Sequence, residues 1–292
     1  MEAVKDIKRP PFQYYGAKWI LAPWIISFFP EHNNYIEICG GTASILMMKP
    51  RSPLETYNDI NADIVNFFKV LREYPEQLIH KIWLTPWARA EFEECRYQSD
   101  DPIENARRFY VSASMAISRI PFDKHSGFRT ASYFGQQRSR LSMMFAEEAI
   151  SYLWDVCKRM EGVQIENRDA RYVIERYDRS DALLYFDPPY VQTTRTAKNA
   201  YDFEVAETFH SEMAEMLRQA KGFVIVSGYM CEMYSALYED FGWKRFDKES
   251  QINGGKKRFE SVWLSPKTSE ALCANNSLQP TQKGAEQNWL FN

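Results

Sequence analysis

Histidine is scarce. His32, His80, His125 and His210 are the only four in 292 residues, and no two stand at metal-ligand spacing. The five cysteines, Cys39, Cys95, Cys157, Cys231 and Cys273, are odd in number, widely spaced and free of any C-x-x-C pair. Both counts argue against structural zinc and against a disulfide framework, so no metal is expected and a reducing cytosol fits. Surplus positive charge is also missing, with 36 Lys and Arg set against 39 Asp and Glu for a net charge of −3. A histone-like, non-specific nucleic-acid binder is thereby disfavoured, and any nucleic-acid site must be a local basic patch on a neutral body. No apolar run reaches membrane-spanning length, and Met1-Glu2-Ala3-Val4-Lys5-Asp6 has no signal-peptide core. A cytoplasmic protein without membrane contact is expected.

What is present is more specific. The apolar run Ala182-Leu183-Leu184-Tyr185-Phe186 stops at Asp187-Pro188-Pro189-Tyr190. Proline removes backbone donors and fixes φ, so the chain can neither continue in a sheet nor enter a helix interior there. The Pro188 carbonyl and the Asp187 carboxylate make two acceptors beside the flat face of Tyr190. That set suits a planar aromatic amine, such as the exocyclic NH₂ of adenine or cytosine. A plain strand-ending turn with a half-buried tyrosine is the competing reading.

Along the chain, residues 1–10 read as a charged arm and Ala17 to Phe29 as a helix. The strand Tyr35 to Cys39 runs into Gly40-Gly41-Thr42-Ala43-Ser44 and a helix from Ile45 to Met48. Strand, glycine turn and helix form the phosphate- or nucleoside-binding unit of an open α/β sheet. A second strand spans Leu54 to Asn58, and a helix spans Ala62 to Glu73 with Pro75 closing it. Residues 76–160 change character, with acidic helical stretches, a helix over 102–118, and a segment from 119 to 140 rich in Gly, Ser, aromatics and amides. Alternation then resumes with strands 162–166 and 182–186, helix 206–220, strand 222–227, helix 231–240, and strands near 243–249 and 259–265. This predicts a mostly parallel, helix-covered sheet whose last two strands form an antiparallel edge hairpin. Residues 268–292 read as a flexible polar tail.

Ligands in such sheets sit at the carboxyl ends of strands. Gly40 and Gly41 let a ligand approach the backbone. Asp59 ends the second strand, where an acidic residue accepts from ribose hydroxyls; helix N-capping is its alternative. Asp169 follows the third strand, where it can accept from an adenine amine, and Asp187 ends the fourth.

In this order the motifs resemble the alpha-class DNA adenine-N6 methyltransferases, the D12 class that includes the DNA adenine methylases. Tyr14-Tyr15-Gly16-Ala17-Lys18 is similar to the family's aromatic-x-G-x-K motif, and Tyr35 to Ala43 to its F-x-E-P-F-x-G-x-G motif. Asn58-Asp59-Ile60-Asn61 resembles A-D-I-N, Asp187 to Tyr190 the catalytic D-P-P-Y, and Asn253 to Lys257 the N-G-G-basic loop. Pro-Phe of the second motif is here Ile38-Cys39, and its last glycine is Ala43. The resemblance implies a Rossmann-like S-adenosylmethionine-dependent methyltransferase domain, residues 10–75 and 161–267, with a mainly helical target-recognition domain inserted at 76–160. It implies methyl transfer from S-adenosylmethionine to adenine N6 in a specific double-stranded DNA sequence, in a bacterial or phage-encoded, nucleoid-associated protein. Lys18 would meet the methionine carboxylate, with Tyr14 or Tyr15 beside it. Glu37 and Gly41 would line the methionine and ribose, Asp59 would hold the ribose hydroxyls, and Ile60 would pack on the adenine. Asp187 and Pro188 would accept both N6 hydrogens of a flipped-out adenine stacked on Tyr190.

Within 119–140, Arg119, Lys124, Arg129, Gln136, Gln137, Arg138 and Arg140 are candidates for reading DNA, since Arg pairs bidentately with guanine and Gln with adenine. Lys256, Lys257 and Arg258 lie near the last hairpin loop, placed to touch phosphate or enter the duplex. Trp83, Trp87, Phe92 and Tyr97 suggest a homodimer surface or, alternatively, the insert's own small core. A cytosine-N4 or glutamine-amide methyltransferase is disfavoured by Asp187, because those proteins carry Ser or Asn before Pro-Pro-Tyr. A non-catalytic DNA-binding regulator is disfavoured by the intact glycines and Asp187.

Overall fold

The computed structural model describes residues 7–14, 16–130, 133–134, 137–138, 143–189, 207–251, 257–274, 279–280 and 289–290. In chain order the elements are α1 (Ala22–Ile26), β1 (Asn34–Glu37), α2 (Ser44–Met48), β2 (Leu54–Asn58), α3 (Ala62–Glu73), α4 (Pro75–Trp83), α5 (Arg89–Cys95), α6 (Pro102–Met115), β3 (Tyr133–Phe134) and β4 (Gln137–Arg138). There follow α7 (Glu147–Ile150), α8 (Tyr152–Met160), β5 (Gln164–Glu166), α9 (Ala170–Tyr177), β6 (Ala182–Phe186), α10 (Glu207–Arg218), β7 (Phe223–Gly228), α11 (Glu232–Leu237), β8 (Lys244–Gln251), β9 (Lys257–Leu264), α12 (Pro266–Ala274), β10 (Gln279–Pro280) and β11 (Trp289–Leu290). Among the described residues no helix is long and apolar enough to cross a membrane. The chain forms two compact units, one of Met1–Ala22, Gly40–Arg51 and Asp59–Asn167, the other of Pro23–Cys39, Ser52–Asn58 and Arg168–Asn292.

The second unit carries most of a seven-stranded sheet, its six strands running in the order β2-β1-β6-β7-β9-β8. β2, β1, β6 and β7 are parallel, while β9 is antiparallel to both β7 and β8. The expected mostly parallel sheet with an antiparallel edge hairpin is therefore present. β6 is apolar at every position and wholly buried, as a central parallel strand covered on both faces requires. Alternate residues serve opposite faces. Ile36, Leu184, Phe186 and Val226 pack with Val173 and Ile174 of α9, Met213 and Leu217 of α10, and Tyr234 and Trp263. On the other face Phe29 lies against Tyr35 and Tyr185, with ring centroids 5.7 and 6.3 Å apart.

The first unit is helical around an aromatic core. Phe12 sits within 6 Å, centroid to centroid, of Phe67, Phe68 and Phe109, and Phe67 stacks on Tyr110. Phe12 is thus a core residue, 1 % exposed. Because α3 supplies Phe67 and Phe68 to this core, it packs with α6 in the same unit.

Four expectations change. The helix over Ala17 to Phe29 shrinks to Ala22–Ile26, because Pro23 is tolerated only in a first turn. Pro75 opens α4 as well as ending α3, since the amide it lacks would be unbonded at a helix start anyway. α9 occupies residues the pattern left unassigned. The tail does not begin at 268: α12 is helical to Ala274, with Thr268, Ser269 and Leu272 buried. Its N-terminus is capped by Ser265, whose Oγ accepts from Thr268 N at 3.3 Å.

Candidate active site

In the second unit the strand order reverses at β1, which has β2 on one side and β6 on the other. That is where open α/β sheets bind ligands, beyond the carboxyl ends of the strands. Glu37 ends β1 opposite Tyr185 of β6. Glu37 is buried and accepts a 2.9 Å bond from Tyr35 Oη, whose own pKa is raised well above the usual phenol value by burial and by the Glu37 charge. Asp187 follows the last residue of β6 and is half-buried, with Pro188 buried behind it. Phe186 pairs with Val226, so the next residues, Asp187 and Ser227, come side by side. Ser227 Oγ donates to Asp187 Oδ1 at 2.8 Å, and Tyr185 Oη lies 2.9 Å from Ser227 Oγ. Nothing in the pattern of single residues marks Ser227; the strand register finds it. Asn58 uses its buried amide to tie Ile38 O (2.8 Å) and both backbone groups of Arg168 (3.0 and 2.8 Å). Asp169 is the N-cap of α9, with Oδ1 accepting from the Arg171 backbone amide at 2.9 Å and Oδ2 paired with the Arg171 guanidinium at 2.7 Å. Arg171 holds the Asp169 carboxyl below the usual carboxylate range.

In the first unit, Lys18 is buried rather than solvated, and its Nζ donates to Gly16 O at 3.2 Å. Tyr14 is half-buried, its ring edge-on to Phe12. Gly40 is buried. Gly41 has φ +49°, and a Cβ built on it would meet nothing within 4 Å. Ala43, where the resembled motif has glycine, also lies in the left-handed region at φ 53°. An L-residue there bears roughly 1–2 kcal/mol of strain, so the usual glycine has a backbone reason. Asp59 is buried, Oδ2 accepting from Gly41 N and Oδ1 from Asn61 N, both at 2.8 Å. The N-cap of α3 is Asn61, not Asp59. Ile60 is 48 % exposed beside this buried carboxylate. Asn167 straps the turn from below, donating to Asp59 O at 2.7 Å and Ile60 O at 3.0 Å.

The basic segment after α6 begins in the same unit. Ala116 bridges to Phe128, closing a loop in which Arg119 (φ 59°) and Phe122 (φ 57°) are left-handed. Arg119 is exposed. Lys124 is exposed, with its ammonium 5.3 Å from the ring centre of Tyr97. Arg129 is different. It donates to Ser114 O at 2.9 Å, its carbonyl takes the Trp87 indole proton at 3.0 Å, and burial, then the Arg119 charge, lowers its pKa. It frames the loop from inside. β3 and β4 form a small antiparallel pair, with Arg138 opposite Tyr133. Lys257 and Arg258 open β9. Tyr15, Gln136, Arg140, Tyr190 and Lys256 lie outside the described residues. Of Trp83, Trp87, Phe92 and Tyr97, Phe92 is buried and Trp87 packs on Phe128 and Phe145, while Trp83 and Tyr97 remain exposed at 42 % and 59 %. Two of these four, Trp87 and Phe92, therefore pack inside the first unit.

Comparison with known proteins identifies a family for the chain. Residues 14–252 match the family described as D12 class N6 adenine-specific DNA methyltransferase. A type II methyltransferase, M1.LlaDCHI, of Lactococcus lactis subsp. cremoris is 25 % identical over 270 residues, covering 85 % of this chain and 90 % of that protein. A DNA adenine methylase of Vibrio cholerae serotype O1 is 24 % identical over 210 residues, 65 % of this chain and 68 % of its own length.

Proposed function

Because the chain belongs to the D12 class of N6 adenine-specific DNA methyltransferases, we propose that it uses S-adenosylmethionine to methylate a flipped-out adenine within a specific double-stranded DNA site. Its residues suit that cofactor. Buried Lys18 matches a carboxylate, Asp59 offers an acceptor for ribose hydroxyls, exposed Ile60 offers an apolar surface to a purine, and Gly41 keeps the approach open. Lys18 and Tyr14, with Tyr15 beside them, would hold the methionine end. Glu37, Gly40 and Gly41 would line the middle, and Asp59 and Ile60 the nucleoside. Asp169 enters only through lone pairs that Arg171 leaves. When bound, S-adenosylmethionine supplies an electrophilic methyl group.

The chain's own chemistry concerns the amine. Adenine N6 is a weak nucleophile because its lone pair is delocalised into the ring. The Asp187 carboxylate and the Pro188 carbonyl would accept its two hydrogens, drawing nitrogen toward tetrahedral geometry. The same oxygens stabilise positive charge as it develops, which is electrostatic preorganisation. A carboxylate is base enough, since the methylated amine is strongly acidic. The target must leave the base stack to reach these acceptors, and Tyr190 would stack on it. Arg119, Lys124, Arg138, Lys257 and Arg258, with Gln136, Arg140 and Lys256, would contact the duplex. Trp83 and Tyr97 remain as the surface on which two copies would pair, and a cytoplasmic setting in a bacterial or phage-infected cell fits.

The observation that carries the proposal is a carboxylate followed by two prolines at the end of a fully buried central strand. Asp187→Ala is expected to abolish labelled-methyl transfer to DNA while cofactor binding and fold persist. Transfer within severalfold of the unsubstituted protein removes Asp187 from the chemistry, and nucleoside analysis separates adenine N6 from cytosine N4.

A further inference from the structure

Ser227 has one proton, and the 2.8 Å contact directs it to Asp187 Oδ1. The 2.9 Å contact with Tyr185 must therefore run the other way, with the phenol donating to Ser227 Oγ. Tyr185 and Ser227 are both buried, at 1 % and 2 % exposure, so water does not compete for either bond. Three residues on two neighbouring strands thus form one directional chain, Tyr185 to Ser227 to Asp187, whose positive ends all point toward the carboxylate. From this geometry we infer that Tyr185 and Ser227 are positioning residues, a hydroxyl relay that fixes the plane of the Asp187 carboxylate for the amine of the target base.

The inference rests on the proposed role of Asp187. A carboxylate on a short side chain turns freely about its last bond unless something holds an oxygen. Proper alignment of an acceptor with a reacting hydrogen is where positioning acts on rate. The phenol is suited to its place, because burial and the nearby Asp187 charge push its pKa well up and keep it a donor. Linked hydrogen bonds polarise one another, so the outer bond strengthens the inner one. Ser227 ends in this position because β7 pairs in register with β6, and the following Gly228 leaves the room that Tyr234 fills: a Cβ on Gly228 would lie 2.6 Å from that ring.

The relay makes a prediction that packing alone does not. Tyr185 acts on Asp187 only through Ser227, so the two substitutions should not add. The test measures turnover on unmethylated genomic DNA with labelled S-adenosylmethionine, together with cofactor affinity by calorimetry. Ser227→Ala is expected to lower kcat about 10- to 100-fold, the loss of one hydrogen bond to a charged group, with KM and cofactor affinity unchanged. Tyr185→Phe should lower kcat severalfold. Tyr185→Phe/Ser227→Ala should match Ser227→Ala alone, and Ser227→Thr, which keeps the hydroxyl, should restore most of the rate. Should Ser227→Ala fail to fold, the Tyr185→Phe and Ser227→Thr pair decides by the same criteria. Asp187→Ala is measured alongside. If it is inactive while Ser227→Ala turns over like the unsubstituted protein, or if the two relay losses multiply, the relay is overturned and the role of Asp187 stands. If Asp187→Ala is itself active, the reading beneath the relay fails.

Discussion

Asp59 is a buried carboxylate whose two oxygens each accept from a backbone amide of its own unit. Burial raises its pKa above the ordinary 3.8, and the bonds from Asn61 and Gly41 recover part of that shift. A folded protein that holds a proton more tightly than the unfolded chain loses stability as pH rises. The contribution is fully present below 3.8 and is lost as pH climbs through the raised value. Melting temperatures of the protein and of Asp59→Ala should therefore draw apart on acidification and converge as pH rises. A carboxyl oxygen accepts from hydroxyls in either protonation state, so Asp59→Ala should weaken S-adenosylmethionine binding by about 10- to 100-fold in calorimetry. Unchanged affinity returns Asp59 to a purely structural role. Asp59, Gly41 and Asp187 were readable in the sequence because each sits in a short motif at a strand end. Ser227 and Asn167 were not, nor was the tie that Asn58 makes from within its motif, because their partners lie 20 to 110 positions away and are set by strand register and turns.

α6 shows how a helix is held from outside itself. Asp101 caps it at Ile103 N, and Glu104 in its first turn gathers Arg107 and Arg108, three and four residues on, at 2.6 and 2.9 Å. Arg107 reaches further to Glu91 of α5. Burial pushes the Glu104 pKa up, but the two guanidinium bonds outweigh it and hold the group at about 2, against an ordinary 4.5. A lowered pKa stabilises above the ordinary value and is lost as pH falls through about 2. The carboxylate remains partly open to water, so screening reduces its worth. Glu104→Gln should destabilise by about 1–2 kcal/mol at neutral pH. In denaturant melts that difference should shrink between pH 4.5 and 2. Elsewhere, β2, α3 and β6 fall where the pattern put them, because an all-apolar run or a capped amphipathic repeat leaves one solution. α12 was missed for a plain reason: Pro266-Lys267-Thr268-Ser269 looks like tail by composition, while the decisive signal is one capping serine before a proline.

The net charge of −3 gives the molecule no diffuse positive field to attract DNA, so each basic contact should register singly. Arg119 and Arg129 should separate cleanly. Arg119→Ala should leave the melting temperature unchanged. If it meets phosphate, it should weaken binding to every duplex and reduce the salt slope by about one counterion; if it meets a base edge, it should cost roughly 1–3 kcal/mol of discrimination at one position. Arg129→Ala should lower the melting temperature, since that side chain ties the loop to Ser114 O at the end of α6. Fluorescence anisotropy on cognate and scrambled duplexes at several salt concentrations, with thermal melts, checks both. The sheet has one further property. Among the described residues β8 is the last strand of the sheet order, and such an edge invites a strand from another molecule. Among its described side chains Phe246 is buried, while Asp247 and Glu249 are exposed and Lys244, Arg245 and Lys248 are half-buried beside them. An incoming strand would have to desolvate those charges, which disfavours pairing along this edge.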